Sequence, residues 1–302
     1  MSDQGSSARA ILYAFLANLG IALTKLWAAL FTGSGSMLAE SIHSFADCGN
    51  QILLWVGLRQ AQRPADAKHP MGYGKVTYFW SFIVALMLFS LGGMFSIYEG
   101  VHKLGAPQPL RQPWIALVVL AISMALETAS LFGCLREIAK IRRGRSLWDW
   151  LRTTRNAELV VVLGEDCAAL LGLAIAFVFV ALATVTGDVR YDALGSIAIG
   201  VVLVAVAVFV AVRIKGLIIG RSAEEDLQQA LRAEIDRDPS IDVLLNAITL
   251  QLGPQVMLAA KVKMKPGISI EEAVTQINAL ERRIKSAFPE VAWLFVEPDV
   301  ED

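Results

Sequence analysis

The chain has 302 residues, 55% hydrophobic and only 18% charged, with a formal net charge of −1. A soluble domain of this size carries about a quarter charged residues, so a single soluble globule is excluded, and the near-neutral balance excludes a basic nucleic-acid-binding surface. Cys48, Cys134 and Cys167 form no CxxC and no even framework, and read as small buried hydrophobes.

Residues 1–8 are short and polar, with no small-residue cleavage site, so no secretory signal is expected. Six apolar stretches follow, at 12–31, 37–58, 77–98, 114–135, 159–185 and 193–212. A hydrocarbon core of about 30 Å needs about 20 such residues as a helix. The runs are too continuous for barrel strands, so each is predicted to be a transmembrane helix. Basic residues gather in alternate loops: Arg59, Arg63, Lys68 and Lys75 after the second stretch, and Arg136, Lys140, Arg142, Arg143, Arg145, Arg152 and Arg155 after the fourth. Arg213, Lys215 and Arg221 follow the sixth, against Lys103, Arg111 and Arg190 on the opposite side. The excess of positive charge on one side predicts that both termini are cytoplasmic.

From Ser222 the chain becomes acid-rich and ordinary in composition, with Glu224, Glu225, Asp226, Glu297, Asp299, Glu301 and Asp302. Helical spacing runs over 224–237, strands are predicted at 248–252 and 256–264 about a Gly253-Pro254-Gln255 turn, an amphipathic helix at 270–288 and a last strand at 291–296. The expected organisation is a six-helix transmembrane domain at 1–220 and a cytoplasmic α-β-β-α-β domain at 221–302, its helices on one face of a sheet.

Ionisable groups inside a membrane are costly and need a reason. The second stretch carries Glu40, His43, Asp47 and Asn50 at spacings of three, four and three, one face of an α-helix. The fifth adds the adjacent pair Glu165 and Asp166, about 100° apart on a helix, of which one can aim squarely at the site. An imidazole with several carboxylates suits tetrahedral Zn²⁺, and an oxygen-rich set also suits Mn²⁺ or Fe²⁺. Lys25 and Glu127 are possible counter-charges, and Asp66 with His69 a weaker loop site. The bland alternative is a buried polar network joining two helices, but burying several carboxylates without a cation stabilises nothing.

The run from Gly33 to Asp47, Gly-Ser-Gly-Ser-Met-Leu-Ala-Glu-Ser-Ile-His-Ser-Phe-Ala-Asp, resembles the second-helix signature of cation diffusion facilitators. So do His69-Pro70-Met71-Gly72-Tyr73-Gly74-Lys75 and Tyr191-Asp192-Ala193-Leu194-Gly195-Ser196, and the similarity covers nearly the whole chain. The resemblance implies a homodimeric antiporter exporting a divalent metal ion in exchange for protons, with a ferredoxin-like, metallochaperone-like tail; the expected location is a bacterial inner membrane. It implies a transport site of two residues four apart on each of the second and fifth helices. His43 and Asp47 fill the first pair and Asp166 ends the second, while Val162 stands where a His or Asp is expected. Glu165 is inferred to supply the missing ligand, with Glu40 and Asn50 behind the site or acting as a gate. Tyr73 replaces a loop His of some members, and the tail contains no His or Cys for metal sensing.

The expected function is therefore efflux of a divalent cation, Zn²⁺ favoured because of His43, with Mn²⁺, Fe²⁺ and Co²⁺ open. No bound cofactor, no enzymatic activity and no nucleic-acid partner are expected; lipid, a second copy of the chain, protons and the metal ion are. No HExxH-like motif or activated nucleophile supports an intramembrane metalloenzyme. Val162 supports the alternative of a transport-inactive metal-binding or scaffold protein.

Overall fold

The computed structural model describes residues 3–142 and 144–301, with side chains from residue 18 onward. Arg143 of the basic loop, Asp302 of the acidic tail, and Met1 and Ser2 of the polar N-terminal stretch lie outside the described residues. The elements in chain order are α1 (Asp3–Thr32), α2 (Gly35–Ala61), α3 (Val76–Met87), a π-helical turn (Leu88–Met94), α4 (Phe95–Gly105), α5 (Pro113–Ile141), α6 (Leu147–Thr153), α7 (Ala157–Thr186) and α8 (Arg190–Ile219). After these come α9 (Glu225–Asp236), β1 (Ile241–Leu252), β2 (Gln255–Met264), α10 (Ile270–Ala287) and β3 (Val291–Pro298).

Among the described residues there are six rods of 27 to 30 residues, the third being α3, the π-turn and α4 in continuous succession. At about 1.5 Å per residue, each is roughly 40 Å or more, longer than the bilayer's hydrocarbon core. The rods Val76–Gly105, α5, α7 and α8 are long and apolar enough to cross a membrane on length and composition alone. The fold is that of a multi-pass α-helical membrane protein with a small α+β sheet domain after it. In α2 the apolar run is interrupted by Glu40, His43 and Asn50, all fully buried, which is why composition alone does not mark it.

The chain forms two compact units: Met1–Val56, Trp80–Gly144 and Glu158–Ile214 make one, and Gly57–Phe79, Arg145–Ala157 and Lys215–Asp302 the other. The second unit thus gathers two segments lying between the long helices as well as the C-terminal elements.

The first unit is packed around Ala28, Met37, Leu88, Leu120, Leu173, Ile199 and Leu203. Small residues let helices approach where no hydrophobic driving force exists between them. A β-carbon on Gly93 would lie 2.6 Å from Val204 Cγ2, and one on Gly200 2.7 Å from the Gly93 carbonyl, so the third rod and α8 touch backbone to backbone. The start of α2 is capped from another helix. The Asp192 carboxylate accepts the Ser34 hydroxyl at 2.5 Å and the backbone N–H groups of Gly35 and Ser36 at 2.5 and 3.2 Å. Lys103 Nζ lies 3.8 Å from that carboxylate, which is 2% exposed. A carboxylate here suits the positive end of the helix dipole and satisfies N–H groups that have no partner within the helix.

In the second unit the sheet order is β1-β2-β3, with β1–β2 antiparallel and β2–β3 parallel. α10 provides the crossover, and its N-cap Ser269 accepts the Glu272 N–H at 3.2 Å. Leu231 and Ile235 of α9 and Leu280 and Ile284 of α10 cover Leu258, Ala260, Val262 and Leu294 of the sheet. On the strands, Ile248 and Phe295, both more than half exposed, flank Ala259 in register. The hairpin turn is only Gly253 and Pro254; Gly253 has φ +69°, which a side chain resists, and packs directly on Gly74. Tyr78 Oη accepts the Gly253 N–H at 3.0 Å and donates to its carbonyl at 3.3 Å.

Three elements differ from the sequence expectation. β1 starts at Ile241 rather than 248, the basic loop contains α6, and the third rod is not uniformly α-helical. Register irregularities between Ile241 and Val243 and between Leu244 and Asn246 disrupt the alternation that would have marked the start of β1.

Candidate metal centre

α2 and α7 carry the candidate site inside the first unit. His43 is fully buried, and its Nε2 lies 3.6 Å from Asp47 Oδ2, one turn further along α2. Both His43 ring nitrogens, Asp47 Oδ1, Asn50 Oδ1 and Asp166 Oδ2 are buried with no hydrogen-bond partner. The π-turn passes this point: a β-carbon on Gly92 would stand 3.9 Å from His43 Nδ1, so the glycine leaves the ring a free flank. Single π-turns inside helices recur at functional sites.

Across the helix pair, Asn50 Nδ2 donates to Glu165 Oε1 at 2.5 Å. Asp166, its neighbour in sequence, receives only a long 3.4 Å bond from Ser130 of α5. Glu165 is therefore engaged with an amide donor, while Asp166 keeps an unengaged oxygen. The charges of Asp47, Glu165 and Asp166 act on one another, and Glu127 of α5 reaches Asp47, Asp166, His43 and Glu40. Glu40 lies 3.4 Å from Lys25 Nζ, both fully buried, and its charge also acts on His43.

Sequence reasoning did not single out Ser130, although it follows Glu127 by three residues and shares its helix face. Each unpaired buried acceptor costs roughly 1–3 kcal/mol, and more when charged. A proton or a cation relieves that cost. Among the described residues no three His, Cys, Asp or Glu side chains converge closely enough to hold a metal ion in this arrangement. The donors are gathered, but closing them on one point requires side chains of α2 and α7 to re-aim.

Asp66 and His69 lie apart from these, in the exposed loop after α2. Asp66 Oδ1 accepts the Lys68 and His69 N–H groups at 2.9 and 2.7 Å, and Oδ2 accepts the Tyr73 hydroxyl at 2.7 Å. The Tyr73 bond, with the loop N–H groups, holds the Asp66 carboxyl below its ordinary range and raises the Tyr73 hydroxyl. His69 stands 3.6 Å from Asp66 and its ring lies 4.2 Å from that of Tyr73. Both Asp66 oxygens are thus used by their own loop.

Residues 11–214 match the cation efflux transmembrane domain. The chain is 34% identical over 261 residues to the proton-coupled zinc antiporter SLC30A9, mitochondrial, of Xenopus laevis, covering 86% of this chain and 46% of that protein. It is 33% identical over 256 residues to metal tolerance protein C4 of Arabidopsis thaliana, covering 84% and 56%. It is 25% identical over 282 residues to the cation-efflux pump FieF of Cronobacter sakazakii, covering 93% and 89%. The chain thus spans about half the length of the first two relatives and most of the third. With its match to the domain extending over most of the six long helices, the chain belongs to the cation diffusion facilitator family.

Proposed function

We propose that the protein is a divalent metal cation efflux transporter, exchanging zinc for protons by alternating access around His43, Asp47, Glu165 and Asp166. The observation that carries this reading is the set of buried, unpartnered acceptors at His43, Asp47 and Asp166 between α2 and α7. A purely structural network would have paired them. Metal ligands must be deprotonated to bind, so a dication arriving at His43 and the carboxylates releases protons, and protons arriving later release the dication. The imidazole of His43 favours Zn²⁺ over purely oxygen-binding metals; one relative is a proton-coupled zinc antiporter, which supports zinc, and another is a cation-efflux pump, which supports cation export.

Basic residues on alternate loops support cytoplasmic termini. The exposed Ile248 and Phe295, on either side of Ala259, support association of two copies through the sheet domain.

The test is uptake by proteoliposomes holding a metal-sensitive dye and a pH gradient, with Zn²⁺, Mn²⁺, Fe²⁺ and Co²⁺ offered in turn. Wild-type protein is expected to take up zinc while moving protons the other way, and Asp47→Ala to lose roughly 10-fold or more of that rate. Absence of uptake of all four ions would favour the second reading, a transport-inactive metal-binding or scaffold protein. Val162, in place of a ligating residue four before Asp166, supports that reading.

A further inference from the structure

Lys25 and Glu40 form a buried ion pair that the scheme above does not use. Both are fully buried, and Lys25 Nζ lies 3.4 Å from Glu40 Oε2 while donating to Ser44 Oγ at 2.8 Å. Glu40 stands one turn before His43, and Ser44 directly follows it. The pair therefore borders the candidate centre on the side away from Glu165.

A buried ion pair is weak evidence for stability alone, since an apolar pair of similar volume often does as well. Here the ammonium has specific targets: among the described residues, its charge acts on Glu40, His43 and Asp47. The bundle also makes room for the carboxylate. Gly172 of α7 faces it, a β-carbon there would collide with Glu40 Oε1, and that oxygen is buried without a partner. Five carboxylates, Glu40, Asp47, Glu127, Glu165 and Asp166, interact electrostatically in this region. Without a fixed cation, a dication would sit in a deep well of negative charge and leave slowly.

We propose that Lys25 sets the metal affinity of the transport site. Its ammonium keeps Glu40 as its own counter-ion and out of the ligand set, and it opposes the dication at His43 and Asp47 so that release stays feasible. Lysine suits the task because its charge is compact and its stem long and flexible. The inference rests on the transport reading above and adds to it a residue that touches no metal.

The test is zinc binding by titration calorimetry of the purified full chain, alongside uptake in proteoliposomes. Lys25→Met is expected to bind zinc about tenfold tighter and to turn over more slowly, because Glu40 is freed and the opposing charge is gone. Glu40→Gln, which frees the ammonium instead, is expected to bind about tenfold more weakly. The double variant Lys25→Met/Glu40→Gln is expected to return to within about threefold of wild type. Opposite shifts that cancel in the double variant are not what a loss of packing produces. If Lys25→Met does not fold, Glu40→Gln and the double variant still decide the matter. Equal affinities in wild type, Glu40→Gln and the double variant would overturn the inference, as would weaker binding by Lys25→Met. Zinc binding by wild type without these shifts removes the inference alone, whereas no binding by wild type removes the transport reading and the inference with it.

Discussion

His43 has two buried ring nitrogens without a hydrogen bond, its Nε2 3.6 Å from Asp47 Oδ2, whereas Glu165, 115 residues from Asn50 in sequence, has found a donor there. In the proposed transport site, His43 and Asp166 offer unpartnered atoms to an incoming cation, whereas one oxygen of Glu165 is already taken by the Asn50 amide. Replacing Asn50 by Leu removes that donor and leaves a buried carboxylate unsatisfied. A loss of roughly 1–3 kcal/mol in stability is expected, read as a lower unfolding temperature of the detergent-solubilised protein. Zinc binding should tighten at the same time, because Glu165 is released to the site; unchanged binding would argue that Glu165 plays no part in it. The polar stripe on α2 was legible in the sequence because the spacing of Glu40, His43, Asp47 and Asn50 fixes one helix face. Which member of the adjacent Glu165–Asp166 pair meets Asn50 was not, since that depends on the rotation and height of α7 against α2. The pairing of Glu40 with Lys25 was hidden for the same reason, since periodicity within one helix does not identify its neighbour.

Helix existence was legible wherever a run of about 20 apolar residues was required by the bilayer. The π-turn at Leu88–Met94 was not, because apolar composition is indifferent to whether the backbone bonds to the fourth or fifth residue. α6 had a visible signal, Ser146 three residues before Asp149, and the Ser146 side chain does accept the Asp149 N–H at 3.1 Å. Between α9 and α10, Arg283 bridges Glu234 at 2.8 Å and Asp238 at 2.7 Å. Burial works to raise the Asp238 carboxyl, but hydrogen bonds from Ser240 and Arg283 outweigh it and hold that group below its ordinary value. A carboxyl depressed on folding contributes stability that is present above its unfolded-state pKa and lost as pH falls through its folded-state value. Hydrogen exchange of the β1–β2 amides in the full chain is therefore expected to accelerate once the pH falls below about 4, the ordinary Asp range. Arg283→Ala should flatten that dependence; a profile identical to wild type would remove the bridge as its cause.

For the molecule as a whole, a change of composition near residue 220 was legible in the sequence, but the membership of the second compact unit was not. The segments Gly57–Phe79 and Arg145–Ala157 read as inter-helix loops, yet they gather with the C-terminal elements through side-chain and backbone bonds distant in sequence. Arg145 meets Glu224 at 2.9 Å and Asp226 at 3.0 Å, and Arg155 donates to the Ser222 carbonyl at 2.6 Å. Tyr78 and the β1–β2 turn, 175 residues apart, exchange two hydrogen bonds. Tyr78→Phe keeps the ring and removes both, so a loss of about 1–2 kcal/mol is expected, seen as earlier denaturant unfolding of the full chain. The trans cap on α2 bears on motion. With its Gly35 end pinned to Asp192 and its far end free of that restraint, α2 would pivot about the cap in a rigid-body swing. His43 lies about 12 Å along the arm and Asn50 about 22 Å. A swing of about 10° would carry His43 by roughly 2 Å but Asn50 by roughly 4 Å. In such a swing His43 would move about half as far as Asn50, so the strain would fall most on the Asn50–Glu165 bond at the end of the longer arm.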